Sequence, residues 1–311
     1  MESIEVFDNV NYLRLEWGNI MNNRIEGKVS ITAQGTCLVR TISYYEKDIN
    51  YKSNDYIAPI IVPSYLKLLV KNRFSRKLLK KVFLKASGNY EYLIARTKFI
   101  DNIFENIDDS IEQVLIFGAG FDSRAIRFKN KLAKTTIFEL DAPITQQIKI
   151  DRIKGKNIEI PENLKFISIN FNKESLSKKL DEVEFDKNKN SLFLLEGITM
   201  YLNQESIDNL FNLINKYSGE NSLIVFDYVS ASMVLRENTY NDPKIKKHYQ
   251  FLAKAGEKPS FTIDGHIQDF LAKYNLHLID ELDSARLAKK YFNKDDLGRI
   301  AQKFRVVMAK K

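Results

Sequence analysis

The run Phe117-Gly118-Ala119-Gly120-Phe121-Asp122-Ser123-Arg124 sets two glycines one residue apart directly behind an apolar stretch. Glycine lets a backbone turn tightly and approach a ligand closely, and a helix N-terminus behind such a turn favours negative charge. These residues suit a nucleotide-type loop. A plain strand-to-helix turn uses the same residue types, and a dinucleotide fingerprint would place a third glycine where Ser123 stands. A second stretch ends Phe138-Glu139-Leu140-Asp141, with carboxylates 21 and 23 positions beyond Gly118. At that distance an acidic side chain accepts hydrogen bonds from ribose hydroxyls. Strand alternation sends both acids to one side, so only one of them needs to face a ligand. Asn170 and Phe171 follow a third apolar run. An amide and an aromatic ring can read and cover an adenine, although the pair also suits a simple turn. Glu196 and Gly197 close a fourth run, Ser191–Leu195. A carboxylate buried there requires a positive partner. Tyr201 lies one turn further on, placed either to touch a bound acceptor or to pack beneath the loop.

The elements that must position these residues follow from the hydrophobic pattern. β-rich runs at 113–117, 135–140, 164–169, 191–195 and 222–227 are mostly separated by enough chain for a crossover helix, which predicts parallel βαβ units buried on both faces. Two more runs, 276–282 and 304–309, bring the total to seven strands and fit an open doubly wound α/β sheet with an antiparallel edge. Ligands of such sheets bind beyond the carboxyl ends of the strands, where the chemistry-bearing residues above all fall. Residues 1–110 read as a helical N-terminal cover belonging to the same unit. Helices are expected at 30–45, 60–84 and 90–107 from a capping-type serine and apolar residues at three-to-four spacing. Residues 111–311 form the sheet domain, with a substrate-side insertion around 228–263.

Composition removes several alternatives. At 311 residues and 44% hydrophobic, the chain can bury a sizeable core. No apolar run approaches the roughly 18 residues of a membrane span, and no leader pattern stands at the start, so a cytoplasmic location is expected. A single cysteine, Cys37, excludes an internal disulfide and a thiolate metal cluster, and no metal is expected. The net charge of +8 raises the question of acidic partners, and residues 71–85 carry seven basic and no acidic side chains.

Taken together, YLIARTKFID (92–101), QVLIFGAGFDSRAIRF (113–128), FELD (138–141) and LEGITMYL (195–202) resemble the leucine carboxyl methyltransferase family, and more closely its bacterial O-methyltransferase branch. The likeness runs over about residues 30–309. It implies a class I methyltransferase with a Rossmann-like sheet and S-adenosyl-L-methionine as cofactor. It also implies cofactor contacts at Arg96, Gly118, Gly120, Asp141, Asn170, Phe171 and Glu196, and favours Asp141 over Glu139 for the ribose. The family often has Asp-Leu where this chain has Asn170-Phe171. Arg40 is the nearest counterpart of a basic residue that protein-modifying members use near the N-terminus.

Each implied contact has a physical task. Arg96 offers a planar fork to the methionyl carboxylate, so Arg96→Ala is expected to abolish cofactor binding without disturbing the fold. Glu196 would take the cofactor's cationic groups. A carboxylate acceptor, most readily a small-molecule acid, free or carrier-bound, is ionised at pH 7 and needs no general base, so no catalytic residue is assigned. A hydroxyl acceptor needs one, and His248 and His266 are the candidates. Two other readings remain: a nucleotide-linked oxidoreductase on the same sheet, and a non-enzymatic protein docking an acidic macromolecule through 71–85. Nucleic acid is not an expected partner.

Overall fold

A computed structural model describes residues 29–83, 88–169, 174–231 and 260–311. Its centre is a seven-stranded sheet made of β1 (Gln113–Phe117), β2 (Thr136–Asp141), β3 (Leu164–Ser168), β4 (Ser191–Leu195), β5 (Leu223–Val229), β6 (His277–Leu282) and β7 (Phe304–Lys310). The strand order is β3-β2-β1-β4-β5-β7-β6. β1 pairs in parallel with both β2 and β4, so the chain reverses its direction of winding at β1, and the topological switch point lies at the end of that strand.

The reversed strand is not at the edge, as the order of runs along the chain suggested. β7 is antiparallel to both β5 and β6 and lies between them, so the edge strand β6 runs the same way as β1 to β5. The last crossover, through a helix at Ile267–Ala272, passes over the place of β7 and leaves a gap that the final segment fills.

The pleat divides the apolar side chains between two cores. Val114, Ile116, Leu192 and Leu194 pack with Leu38, Ile42, Ile94 and Phe104 from the N-terminal helices. Leu115, Phe117, Phe193 and Leu195 pack on the other face with Ile207, Phe211 and Phe270. All five residues of β1 and of β4 are buried, as expected for strands covered on both faces.

The N-terminal segment is helical, with more breaks than the periodicity indicates. α1 (Ile31–Tyr44) begins at Ser30, whose hydroxyl accepts the Ala33 N–H. The run expected as one helix from 60 to 84 is three: α2 (Ala58–Ile61), α3 (Ser64–Lys71) and α4 (Arg73–Phe83). Pro63 forces Val62 into an extended conformation at ψ 149°, and the Asn72 carboxamide accepts the N–H groups of Phe74 and Ser75, restarting the helix after one residue. α5 (Asn89–Glu105) is the long helix that carries Arg96 against the sheet.

Candidate active site

The chain leaves β1 through two residues in the left-handed region, Gly118 at φ 56° and Gly120 at φ 52°. A side chain at either place would be strained, and a Cβ on Gly120 would come within 3.0 Å of Ala33 at the start of α1. The loop is therefore enclosed between the sheet and the first helix. Asp141 anchors it: one carboxylate oxygen accepts the Gly120 N–H and the other accepts the Ala142 N–H at 2.6 Å. Glu139 sits two residues earlier, fully buried on Lys149 of the helix Pro143–Lys154. Burial raises its carboxyl to about 7, and Lys149 offsets part of that rise. The two acids that alternation placed on one side thus separate, with Glu139 in the interior and Asp141 at the strand end.

Glu196 closes β4 and holds two cations. Its Oε1 accepts from Arg96 Nε at 3.1 Å and its Oε2 from Arg124 Nη1 at 2.7 Å. Burial alone would raise its pKa, but Arg124 and Arg96 more than compensate and hold it below the ordinary value. The positive partners that this carboxylate requires therefore come from the chain itself. Arg96 also donates from Nη1 to Asp227 Oδ2 at 2.6 Å, so its fork is engaged by two protein carboxylates. Gly197, at φ 67°, lets the backbone approach the Arg96 guanidinium, which would lie 3.3 Å from a Cβ there.

Asp227 follows Phe226 in β5 as Glu196 follows Leu195, the residue that Phe226 pairs with in β4. It accepts from Arg96, from the Tyr92 hydroxyl at 2.9 Å and from the Gly197 N–H at 2.6 Å. Tyr92 and Arg96 stand one helical turn apart on α5 and reach the same carboxylate. On the other side, Arg124 donates to Asp101 and Asp122, and Arg127 makes a two-pronged contact with Asp101 at 2.8 Å. Asp122 is held down to about 2, since Arg124 and other cations outweigh its burial. Arg127 also lies 3.5 Å from Asp55, which binds Arg40 at 2.9 Å. A continuous buried chain of ion pairs thus joins Arg40, Asp55, Arg127, Asp101, Arg124, Glu196, Arg96 and Asp227, with Asp122 as a branch. It has four arginines and five carboxylates, one negative charge in excess.

Of the residues that the sequence motifs single out, the structure gathers Arg96, Gly118, Gly120, Asp141 and Glu196 around the ends of β1, β2 and β4. Asn170, Phe171 and His248 lie outside the described residues. Tyr201 falls in a short 3₁₀ turn after β4, half-buried. The neighbouring residues are tied to the returning chain: the Ser260 N–H and hydroxyl donate to the carbonyls of Met200 and Leu202. His266 is exposed at the start of the helix Ile267–Ala272. Arg40 is buried, donating to Asp55 and to the Phe121 carbonyl. Cys37 is buried too, and burial pushes its thiol to about 11. Asp227, Asp101, Asp122, Arg124 and Arg127 escaped assignment as site residues. For Asp227 a signal existed, because SLIVFD is an apolar strand ending in an acid, the pattern that singled out Glu196.

Comparison with known proteins decides the family. The leucine carboxyl methyltransferase family matches residues 36–215, more than half of the chain. The chain belongs to this family. It is an S-adenosyl-L-methionine-dependent methyltransferase, and relatives carry provisional names of that activity. YktD of Bacillus subtilis (strain 168) is 28% identical over 210 residues, covering 66% of this chain and 68% of YktD. A Mycobacteroides abscessus protein is 32% identical over 138 residues, covering 44% of this chain and 45% of its own length. In fold, the chain is similar to a methyltransferase-like protein of Thermobifida fusca YX, with a TM-score of 0.57, 11% identity and coverage of 93% and 96% of the two chains. A DUF574 family protein of Streptomyces avermitilis MA-4680 matches with a TM-score of 0.51, 11% identity and coverage of 88% and 96%. Among the described residues no helix is long and apolar enough to cross a membrane, and no group of metal-ligating side chains is present.

The residues of this methyltransferase fit the cofactor. Its sulfonium, ammonium and carboxylate sum to one positive charge, and the ion-pair chain, with one carboxylate more than its arginines, is together with Asp141 of opposite sign. The glycine loop offers bare backbone, and a Cβ on Gly118 would come within 3.0 Å of Ile198.

Proposed function

We propose that this enzyme methylates a carboxylate oxygen of a small-molecule acid, forming a methyl ester. The observation that carries this reading is the state of its own carboxylates. Glu196 and Asp122 are paired with arginines that hold them ionised far below neutral pH. A carboxylate so stabilised has little affinity for a proton and makes a poor general base. Such a site suits an acceptor that arrives already ionised, as carboxylic acids do at pH 7.

Bound S-adenosyl-L-methionine supplies an electrophilic methyl group whose transfer to an ionised oxygen releases no proton. Gly118 and Gly120 would hold its methionyl part, Asp141 its ribose, Asn170 and Phe171 its adenine, and Arg96 and Glu196 its charged groups. Tyr201, beside the chain that returns at Ser260, would line the acceptor side. Residues 1–110 would cover the cofactor and 228–263 would choose the acceptor. The enzyme's contribution would be alignment and exclusion of water. The test is incubation with methyl-labelled cofactor and a panel of acids and phenols. A carboxylate product releases labelled methanol on mild alkaline treatment, whereas alkali-stable label would identify an ether and refute the ester.

A further inference from the structure

From Tyr56 to Tyr90 the chain has no acidic residue and eight basic ones, as many cations as the net charge of the whole protein. The active site uses none of them. The structure divides this stretch into an inner and an outer face. On the inner face, Leu66, Val70 and Leu79 are buried, Arg76 donates to the Val70 carbonyl at 2.8 Å, and Lys80 pairs with Glu46 at 2.5 Å. On the outer face, Tyr65, Leu68 and Phe74 are 47%, 70% and 83% exposed, and exposed Lys71, Arg73 and Lys77 stand among them. Three of the largest exposed apolar side chains therefore fall within ten residues, at the joint between α3 and α4.

We propose that this joint docks on an anionic phospholipid surface. Phe74 and Leu68 enter the boundary between headgroups and acyl chains, Tyr65 sits at headgroup level, and Lys71, Arg73 and Lys77 meet the anionic headgroups. Apolar side chains on one side of a lysine-rich helix are the composition of interfacial anchors. Lysine clusters gain from the negative potential of an anionic leaflet at no fixed geometry. The core of a protein–protein interface, by contrast, is depleted of lysine. The cations of this face suit an anionic surface, since among the described residues none of Lys71, Arg73 and Lys77 stands in a salt bridge that the structure shows, whereas Glu46 is engaged by Lys80 on the inner side.

The experiment is co-sedimentation of the full chain with phosphatidylcholine vesicles, with and without 30% phosphatidylglycerol, in 0.15 M salt. Binding to the anionic vesicles is expected to exceed that to neutral ones by at least about tenfold, and L68S/F74S to lower it by about the same factor. Both substituted positions are largely exposed, so an unchanged melting temperature verifies the fold. In F74W the emission should shift to the blue on anionic vesicles and not with soluble polyglutamate. No binding at 0.15 M salt, binding only at low salt, binding indifferent to L68S/F74S, or an equal shift with polyglutamate would each overturn the proposal. The last result would point to an acidic protein instead.

Discussion

Arg96→Ala tests whether the buried charge chain exists as described. In the folded protein Arg96 is the cation shared by Glu196 and Asp227, whose side chains are 12% and 1% exposed. Its removal leaves Glu196 with Arg124, and leaves Asp227 with only the Tyr92 hydroxyl and the Gly197 N–H. Breaking a buried ion pair from one side destabilises by about 3–5 kcal/mol, and the lower end applies where neutral donors remain. At about 2 °C per kcal/mol for a chain this long, the melting temperature should fall by about 6 °C. The sequence expectation that Arg96→Ala spares the fold is therefore revised. Adding Asp227→Asn removes the stranded charge and should recover about 2 kcal/mol, a coupling in the range for residues in direct contact. Thermal melts of the wild type, both single variants and the double variant give that number, and calorimetry well below the melts gives the cofactor affinity. If Arg96→Ala melts within about 1 °C of wild type, or if the two substitutions are additive, the ion-pair chain is wrong. If the double variant regains cofactor affinity together with stability, Arg96 positions its neighbours and does not touch the ligand.

Asp141→Asn should weaken S-adenosyl-L-methionine binding by about 10- to 100-fold, because the charge-assisted bonds that hold the loop and would hold the ribose lose their anion; an affinity within twofold of wild type would remove Asp141 from the site. Stability should depend on pH in two opposed windows. Asp122, depressed to about 2, contributes about 2 kcal/mol that is fully present above the unfolded carboxylate pKa near 4 and is lost as pH falls toward 2. Glu139, raised to about 7, acts with the opposite sign: the folded state is favoured most below about 4.5 and loses stability as pH rises through 7. Denaturant titrations from pH 5 to 8 should show that second decline in the wild type and not in Glu139→Gln, and equal slopes would refute it.

Most of the architecture was legible because buried strands separated by helix-length connections leave few arrangements. The ends of β1 and β4 coincide with the apolar runs, and the other strands shift by one or two residues. What the pattern could not disclose was neighbour order, hence the misplaced reversal of β7: a run of apolar residues carries no mark of which strand it will join. The same limit governed the acids. Glu139 and Asp141 are indistinguishable by alternation, and only Lys149, one helix later and buried against the sheet, decides which of them is taken inward. Arg124 stood inside the glycine motif and Asp101 inside the α5 motif, but their meeting is a tertiary event that no local spacing announces.

The ion-pair chain also bears on why so many charges are buried here. A buried ion pair rarely adds net stability, because desolvation offsets the attraction, and apolar replacements of equal volume are often as stable. Nine charged groups in one interior therefore need a reason other than holding the fold. Their arrangement supplies one: Asp122 and Glu196 lie beyond the carboxyl ends of β1 and β4, Asp227 lies near that of β5, and each is fixed by at least one arginine. A carboxylate held in that way cannot rotate when a charged ligand approaches, so its field is set before binding and needs no reorganisation afterwards. Asp227 is the clearest case, with its two oxygens shared among a guanidinium and a phenol from α5 and a backbone N–H from the turn after β4. The network then does for charge what the glycine loop does for shape, presenting a rigid, slightly negative rim at the switch point, where we propose that the singly positive cofactor is held.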